Sequence, residues 1–327
     1  MSNQLLNEEE LQLVGFLKSK IASMQEEVQR IIELAQVRKL QSFTALKDKV
    51  VCVIGGNGGL GSIFMQIFSA TETTKFTFSL DLHNQEQAPE LLPQADLVIF
   101  SVPIHQTPEL IAHYSQWIKP QAGICDLTSI KTPALEAMLE HHSGPVLGMH
   151  PMFGIATPSL ENQLIVTCPG RQHGFFAPYL ELFQILGARI VETSASKHDQ
   201  IMTHMQAVRH FNTYLQGAFT ASEGYTLEEL IQLSSPIYGL ELIMIGRLFA
   251  QNPDLYADII YDNPQSKHAL LRYLGKVQEA VATLEAGDKE KFIADFEKTA
   301  NFFGENAQEF LQQSALILEQ AIELKKL

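Results

Sequence analysis

The chain has 327 residues, 46% of them hydrophobic and 18% charged, with a net charge of −14; this is enough for two ordinary globular domains and argues against a disordered or fibrous chain. A surface of that sign repels phosphate backbones, so nucleic acid is not expected as a partner, although a local pocket can still take an anionic substrate. The apolar runs are too short to span a membrane and the start, MSNQLLNEEE, is acidic where a secretory leader is basic, so a cytoplasmic protein with no membrane partner is expected.

Residues 8 to 41 read as one long helix, with Leu17, Ile21, Met24, Val28, Ile31 and Ala35 recurring at spacings of four and three. Val50 to Ile54 is a continuous apolar run, as in a strand buried on both faces. A glycine-rich turn follows, then a helix from Ser62 to Phe68. Phe76 to Leu80, Ala95 to Ser101, Ile124 to Leu127 and Val146 to Met149 read as further strands. Helical stretches near Pro108 to Ile118 and Ala134 to His141 separate the later ones. Strands alternating with helices predict a parallel sheet covered on both faces. After about residue 192 the period is helical: Lys197 to Ser222, Thr226 to Leu233, Ile237 to Ala250, Leu255 to Tyr261, Gln265 to Ala286 and Lys289 to Leu324. The expected organisation is an N-terminal helical extension over 1–47, an α/β Rossmann dinucleotide-binding domain over 48–192, and an all-α domain over 193–327. Cys52, Cys125 and Cys168 have no regular spacing, and they read as reduced core thiols.

Gly56, Gly58 and Gly61 stand as G-x-G-x-x-G between a buried strand and a helix. The first glycine permits a tight turn, the second lets the backbone approach a pyrophosphate, and the third lets helix and strand pack closely. With Gly59 and Leu60 they open a helix whose unpaired N–H groups face an anion. Asp81 follows Gly61 by 20 residues at the next strand end, where an acid accepts from ribose hydroxyls and repels a 2′-phosphate. NAD is therefore the expected cofactor, in preference to NADP. Ser101, Val102 and Pro103 end a later strand, on the edge where such sheets bind ligands, and are assigned to the nicotinamide half. As an alternative, Val102-Pro103 only terminates its strand.

His150 lies just past another strand end, between glycines and prolines, and a neutral imidazole suits the removal of a hydroxyl proton during hydride transfer. Ser129 and Lys131 sit at the preceding strand end and offer a hydroxyl and a cation; a solvated surface lysine is the plainer reading of Lys131. Arg209, His210 and Arg247 fall in apolar helical context, where a cation is expected either in an internal ion pair or gripping a carboxylate. No metal is expected.

The runs VIFSVPIH, DLTSIK and VLGMHPMFG, and later KHDQIMTHMQAVRHF, LSSPIYGLELIMIGRLFAQNPDLYADII and NFFGENAQEF, resemble the prephenate dehydrogenase family. The likeness is to the dehydrogenase half of the bacterial bifunctional chorismate mutase/prephenate dehydrogenases, and it covers roughly residues 48 to 320. It implies NAD-dependent oxidative decarboxylation of prephenate to 4-hydroxyphenylpyruvate in tyrosine biosynthesis, by a homodimer built through the helical domain. Within that resemblance His150 polarises the ring 4-hydroxyl, Ser129 and Lys131 line the site, Arg247 holds a substrate carboxylate and His210 lies near the substrate side chain. Two departures stand out. Gly239 occupies a position where the bifunctional relatives usually carry Arg. Near the start, Lys18 and Ala35 stand where mutase arginines are expected and only the segment 1–47 precedes the nucleotide fold, so no mutase activity is expected. The alternatives are an arogenate dehydrogenase, a β-hydroxyacid dehydrogenase (which lacks its usual lysine motif here) and a non-catalytic NAD-binding regulatory protein.

Overall fold

Val51 and Val53 face one side of a sheet, and Cys52 and Ile54 the other, in the computed structural model, which describes residues 7–70 and 74–324. The opening MSNQLL lies outside the described residues. The chain divides into two units. The first runs to Val102 and from Gln106 to Ala195, and the second holds Pro103–His105 and everything from Ser196 onward.

The first unit opens with α1 (Glu8–Ser42), started by a reciprocal cap in which Asn7 and Glu10 satisfy each other's backbone N–H groups. None of its residues is fully buried, and Leu17, Ile21, Met24, Val28 and Ile31 are all exposed. Next come β1 (Val50–Ile54), α2 (Gly59–Ala70), β2 (Phe76–Leu80), α3 (Ala88–Leu91), β3 (Leu97–Phe100), α4 (Thr107–Ser115), β4 (Gly123–Asp126) and α5 (Thr132–His141). β5 (Val146–Pro151), β6 (Leu164–Pro169), α6 (Ala177–Ile185) and β7 (Arg189–Glu192) complete it. Phe64, Phe68 and Phe183 from α2 and α6 fill one face of the sheet; Ile111, Tyr114 and Met138 from α4 and α5 fill the other. Apolar side chains buried on both faces are what a continuous Val/Ile/Leu run provides.

The strand order is β2-β1-β3-β4-β5-β6-β7. β1 to β5 are parallel, so their carboxyl ends share one edge, and the order reverses between β1 and β3, the place at which sheets of this kind bind ligands. The sheet is not wholly parallel as the sequence predicts: β6 runs antiparallel to β5, and β7 pairs parallel with β6. Both strands escape the sequence reading. β7 is an edge strand with mostly exposed residues, so it carries no apolar run.

The second unit is helical: α7 (Ala195–Met202), a π-helical turn over Thr203–Val208, α8 (Arg209–Ser222), α9 (Leu227–Leu233), α10 (Pro236–Phe249), α11 (Pro253–Tyr261), α12 (Ser266–Glu285), α13 (Lys289–Phe303) and α14 (Asn306–Leu324). The expected helix from Lys289 to Leu324 is broken at Gly304, whose φ of +54° ends α13. Phe292, Phe296, Phe302, Phe310 and Leu311 are exposed along α13 and α14. Among the described residues no helix is long and apolar enough to cross a membrane. All three cysteines are buried thiols outside any disulfide, as read from the sequence.

Candidate active site

The glycine turn lies at the carboxyl ends of β1 and β3, where the strand order reverses. The tight bend falls at Gly55, with φ +80°, and not at Gly56 as the motif implies. A Cβ on Gly55 would stand 2.1 Å from the Ser101 carbonyl oxygen, so this backbone touches the end of β3. A Cβ on Gly61 would stand 2.2 Å from the Gly55 carbonyl oxygen, which is the close helix–strand approach that the third glycine permits. Gly56 and Gly58 lie in the turn, and Gly59, Leu60 and Gly61 form the first turn of α2. The Ser62 N–H bonds back to the Gly58 carbonyl, so the N–H groups of Gly59, Leu60 and Gly61 precede the helix's own hydrogen bonds.

Asp81 follows β2 and is half-buried. The Asn57 N–H donates to its Oδ1 (3.2 Å), and its own N–H donates to Asn84 Oδ1 (2.7 Å). Its Oδ2 is buried with no hydrogen-bond partner. An orphaned carboxylate oxygen beside a glycine turn fits the hydroxyls of an adenine ribose. Ser101 and Val102 belong to the first unit, whereas Pro103 belongs to the second, where His105 Nδ1 lies 3.0 Å from Asp258 Oδ2 on α11.

Further along the same edge, β4 and β5 place a second set of groups. His150 is the penultimate residue of β5, 2% exposed and paired in register with Val166 of β6. Ser129 is half-buried on the loop from β4 to α5. Lys131 is not solvated: it is 0% exposed, its ammonium donates to the Asp126 carboxylate, and it donates to the Met149 carbonyl at 2.6 Å. Asp126, the last residue of β4, is 0% exposed as well and accepts from the Thr128 N–H at 3.0 Å.

In the helical unit, Arg209 opens α8 and Arg247 lies in the last turn of α10. Both are exposed, so neither forms the internal ion pair that their apolar context allowed. His210 is half-buried and meets Tyr256 of α11. Burial, and after it the neighbouring Arg209, pushes the His210 pKa below its ordinary value. Burial raises the Tyr256 phenol, against the pull of Arg247 and Arg209. The His210 and Tyr256 rings thus lie in contact, and Tyr256 is within electrostatic reach of both Arg209 and Arg247. Gly239 is buried in the first turn of α10, its N–H bonded to the Ser235 carbonyl.

Gly55, Asn57, Asn84, Asp126 and Tyr256 are the residues that sequence reasoning missed. Gly55 adjoins the motif and Asp126 begins DLTSIK, so both were within sight; Tyr256 had no local signal.

The fold and the glycine turn define a dinucleotide-binding α/β protein with a helical second unit. A family model described as prephenate dehydrogenase, nucleotide-binding domain, matches residues 67–192, and one described as prephenate dehydrogenase, dimerization domain, matches residues 194–298. The chain is 44% identical over 291 residues to the T-protein of Enterobacter agglomerans, covering 86% of this chain and 77% of that one. It is 40% identical over 277 residues to the T-protein of Haemophilus influenzae, covering 84% and 73%. Among solved structures, prephenate dehydrogenase from A. aeolicus, in complex with hydroxyphenyl propionate and NAD+, superposes with a TM-score of 0.60. That likeness covers 79% of this chain and 98% of that chain at 15% identity, and it shows a shared fold. The chain belongs to the prephenate dehydrogenase family.

Proposed function

We propose that the protein is an NAD-dependent prephenate dehydrogenase, an oxidoreductase of tyrosine biosynthesis that converts prephenate to 4-hydroxyphenylpyruvate and CO2. The observation that carries this reading, given the family, is the pairing of Asp81 and its orphaned Oδ2 at the glycine turn with His150 on the same edge of the same sheet. When bound, NAD+ supplies the hydride acceptor. The N–H groups of Gly59 to Gly61 would hold its pyrophosphate and Asp81 its adenine ribose, while Ser101, Val102 and Pro103 would serve the nicotinamide half. His150 is the group that would take the proton of the ring 4-hydroxyl as the hydride leaves C4. The C1–carboxylate bond then breaks, its electrons aromatise the ring, and the C4 oxygen recovers a proton. Arg247 holds a substrate carboxylate and His210 lies near the side chain; Ser129 lines the rim.

The exposed aromatic and aliphatic side chains of α13 and α14 supply an apolar face for a second copy, so we assign a homodimer formed through the helical unit. NADH formation with prephenate and, separately, with arogenate tests the activity. Turnover on prephenate is expected. Turnover on arogenate alone would move the substrate to the amino analogue and make Gly239 the first place to look. NAD+ binding without turnover on either would leave a cofactor-binding protein and overturn the proposal. Sedimentation of the purified chain reads the dimer.

A further inference from the structure

We infer that Asp126 is a positioning residue for His150, acting through Lys131. The inference rests on the proposed role of His150. The β4–β5 ladder ends at the pair Asp126 and Gly148. Beyond it Met149 and His150 pair with Thr167 and Val166 of β6. Lys131 arrives from the loop after β4, and its ammonium bonds the Met149 carbonyl, the peptide oxygen immediately before His150. It thereby continues the ladder with a side chain where β4 has stopped.

That ammonium is itself held in place by Asp126. Asp126 and Lys131 are both 0% exposed, and the carboxylate also accepts the Thr128 N–H. Gly148 leaves room for the lysine stem, since a Cβ there would lie 3.4 Å from Lys131 Cδ and 3.3 Å from Cys168 Cβ. A buried ion pair contributes little net stability compared with well-packed apolar residues of the same volume. Asp126 Oδ1 is buried with no hydrogen-bond partner, which adds to the expense. Stability therefore does not explain the pair. Its geometric result is a fixed Met149 carbonyl, and a base one residue away has to be held within a fraction of an ångström for efficient proton transfer.

The test compares the full-length wild type with Asp126→Asn, which keeps the side chain's shape, and with Asp126→Asn/Lys131→Met, which removes both charges. For Asp126→Asn, kcat falls roughly tenfold to a hundredfold while KM for prephenate and the Kd for NAD+ stay within about threefold. In the double variant the melting temperature recovers, because no lone charge remains buried, and kcat does not. A packing role alone would restore both together. The His150 ring resonance, assigned by its loss in His150→Asn, gives a readout independent of turnover and moves in both variants. Unchanged kcat in Asp126→Asn, or kcat restored with stability in the double variant, overturns the inference. If Asp126→Asn does not fold, the double variant decides alone. If the wild type turns over neither substrate, the functional reading falls, and the resonance still decides whether Asp126 positions the ring.

Discussion

His210 and Tyr256 meet edge to face, their ring centroids 4.8 Å apart with planes at 77°. Burial and Arg209 hold the imidazole below its ordinary pKa of 6.5. The fold favours neutral His210, so below pH 6.5 the unfolded chain takes up a proton that the folded chain resists. The contribution is present above the ordinary value and is lost as pH falls towards the folded value. His210→Asn is therefore expected to melt progressively higher, relative to wild type, as pH drops below 6.5. Parallel melting curves of the two proteins across that range would refute the assignment.

His150→Asn keeps a polar side chain in β5 and removes the base. The expected loss in kcat is about a hundredfold to ten-thousandfold, with NAD+ affinity nearly unchanged, because the base acts only in the chemical step. Steady-state rates and cofactor titration separate the two.

Arg247 is exposed at the end of α10 and close enough to Tyr256 to pull on its phenol. Arg247→Ala should raise KM for prephenate by roughly tenfold or more and lower kcat less, as expected for a carboxylate held equally before and during reaction. A normal KM would place the carboxylate elsewhere.

Asp81→Ala removes the acceptor whose Oδ2 is orphaned. The ratio of kcat/KM for NADP+ over that for NAD+ should rise by about tenfold, from lost ribose contacts and relieved repulsion of the 2′-phosphate. A ratio that does not move would show that another group reads the ribose.

Two glycine substitutions form a matched pair. Gly61→Ala would drive a Cβ to 2.2 Å from a backbone oxygen, and it should lower the melting temperature and weaken NAD+ binding together. A Cβ on Gly154 meets nothing within 4 Å, so Gly154→Ala should leave both nearly unchanged. Equal effects of the two would count against the observed packing of α2 on β1.

The nucleotide half was legible because its signals are local. Val50 to Ile54, the glycines and Asp81 lie in one strand–turn–helix–strand run, and each residue type answers to a backbone or hydrogen-bonding need. Local signals fail where tertiary structure decides. Arg189 to Glu192 is a strand only because β6 lies beside it. Lys131 reads as solvated until Asp126 and Met149 close on it. Tyr256 lies on a different helix from His210, and no spacing announces their contact. Gly304 was visible as a residue, but the apolar period continues through it and hides the break between α13 and α14.

The π-helical turn at Thr203–Val208 joins α7 to α8 without a loop. Such a turn carries one residue more than an α-turn, and one residue corresponds to about 100° of rotation about a helix axis. The turn therefore sets the azimuth of everything after it. His198, Asp199 and Met202 look inward before it, and Arg209 lies exposed beside half-buried His210 after it. Deleting one residue within this turn would leave composition, length and charge almost untouched, yet it would turn the Arg209–His210 pair about a quarter of the way round the axis. The facing of that pair is thus encoded by a single residue of winding.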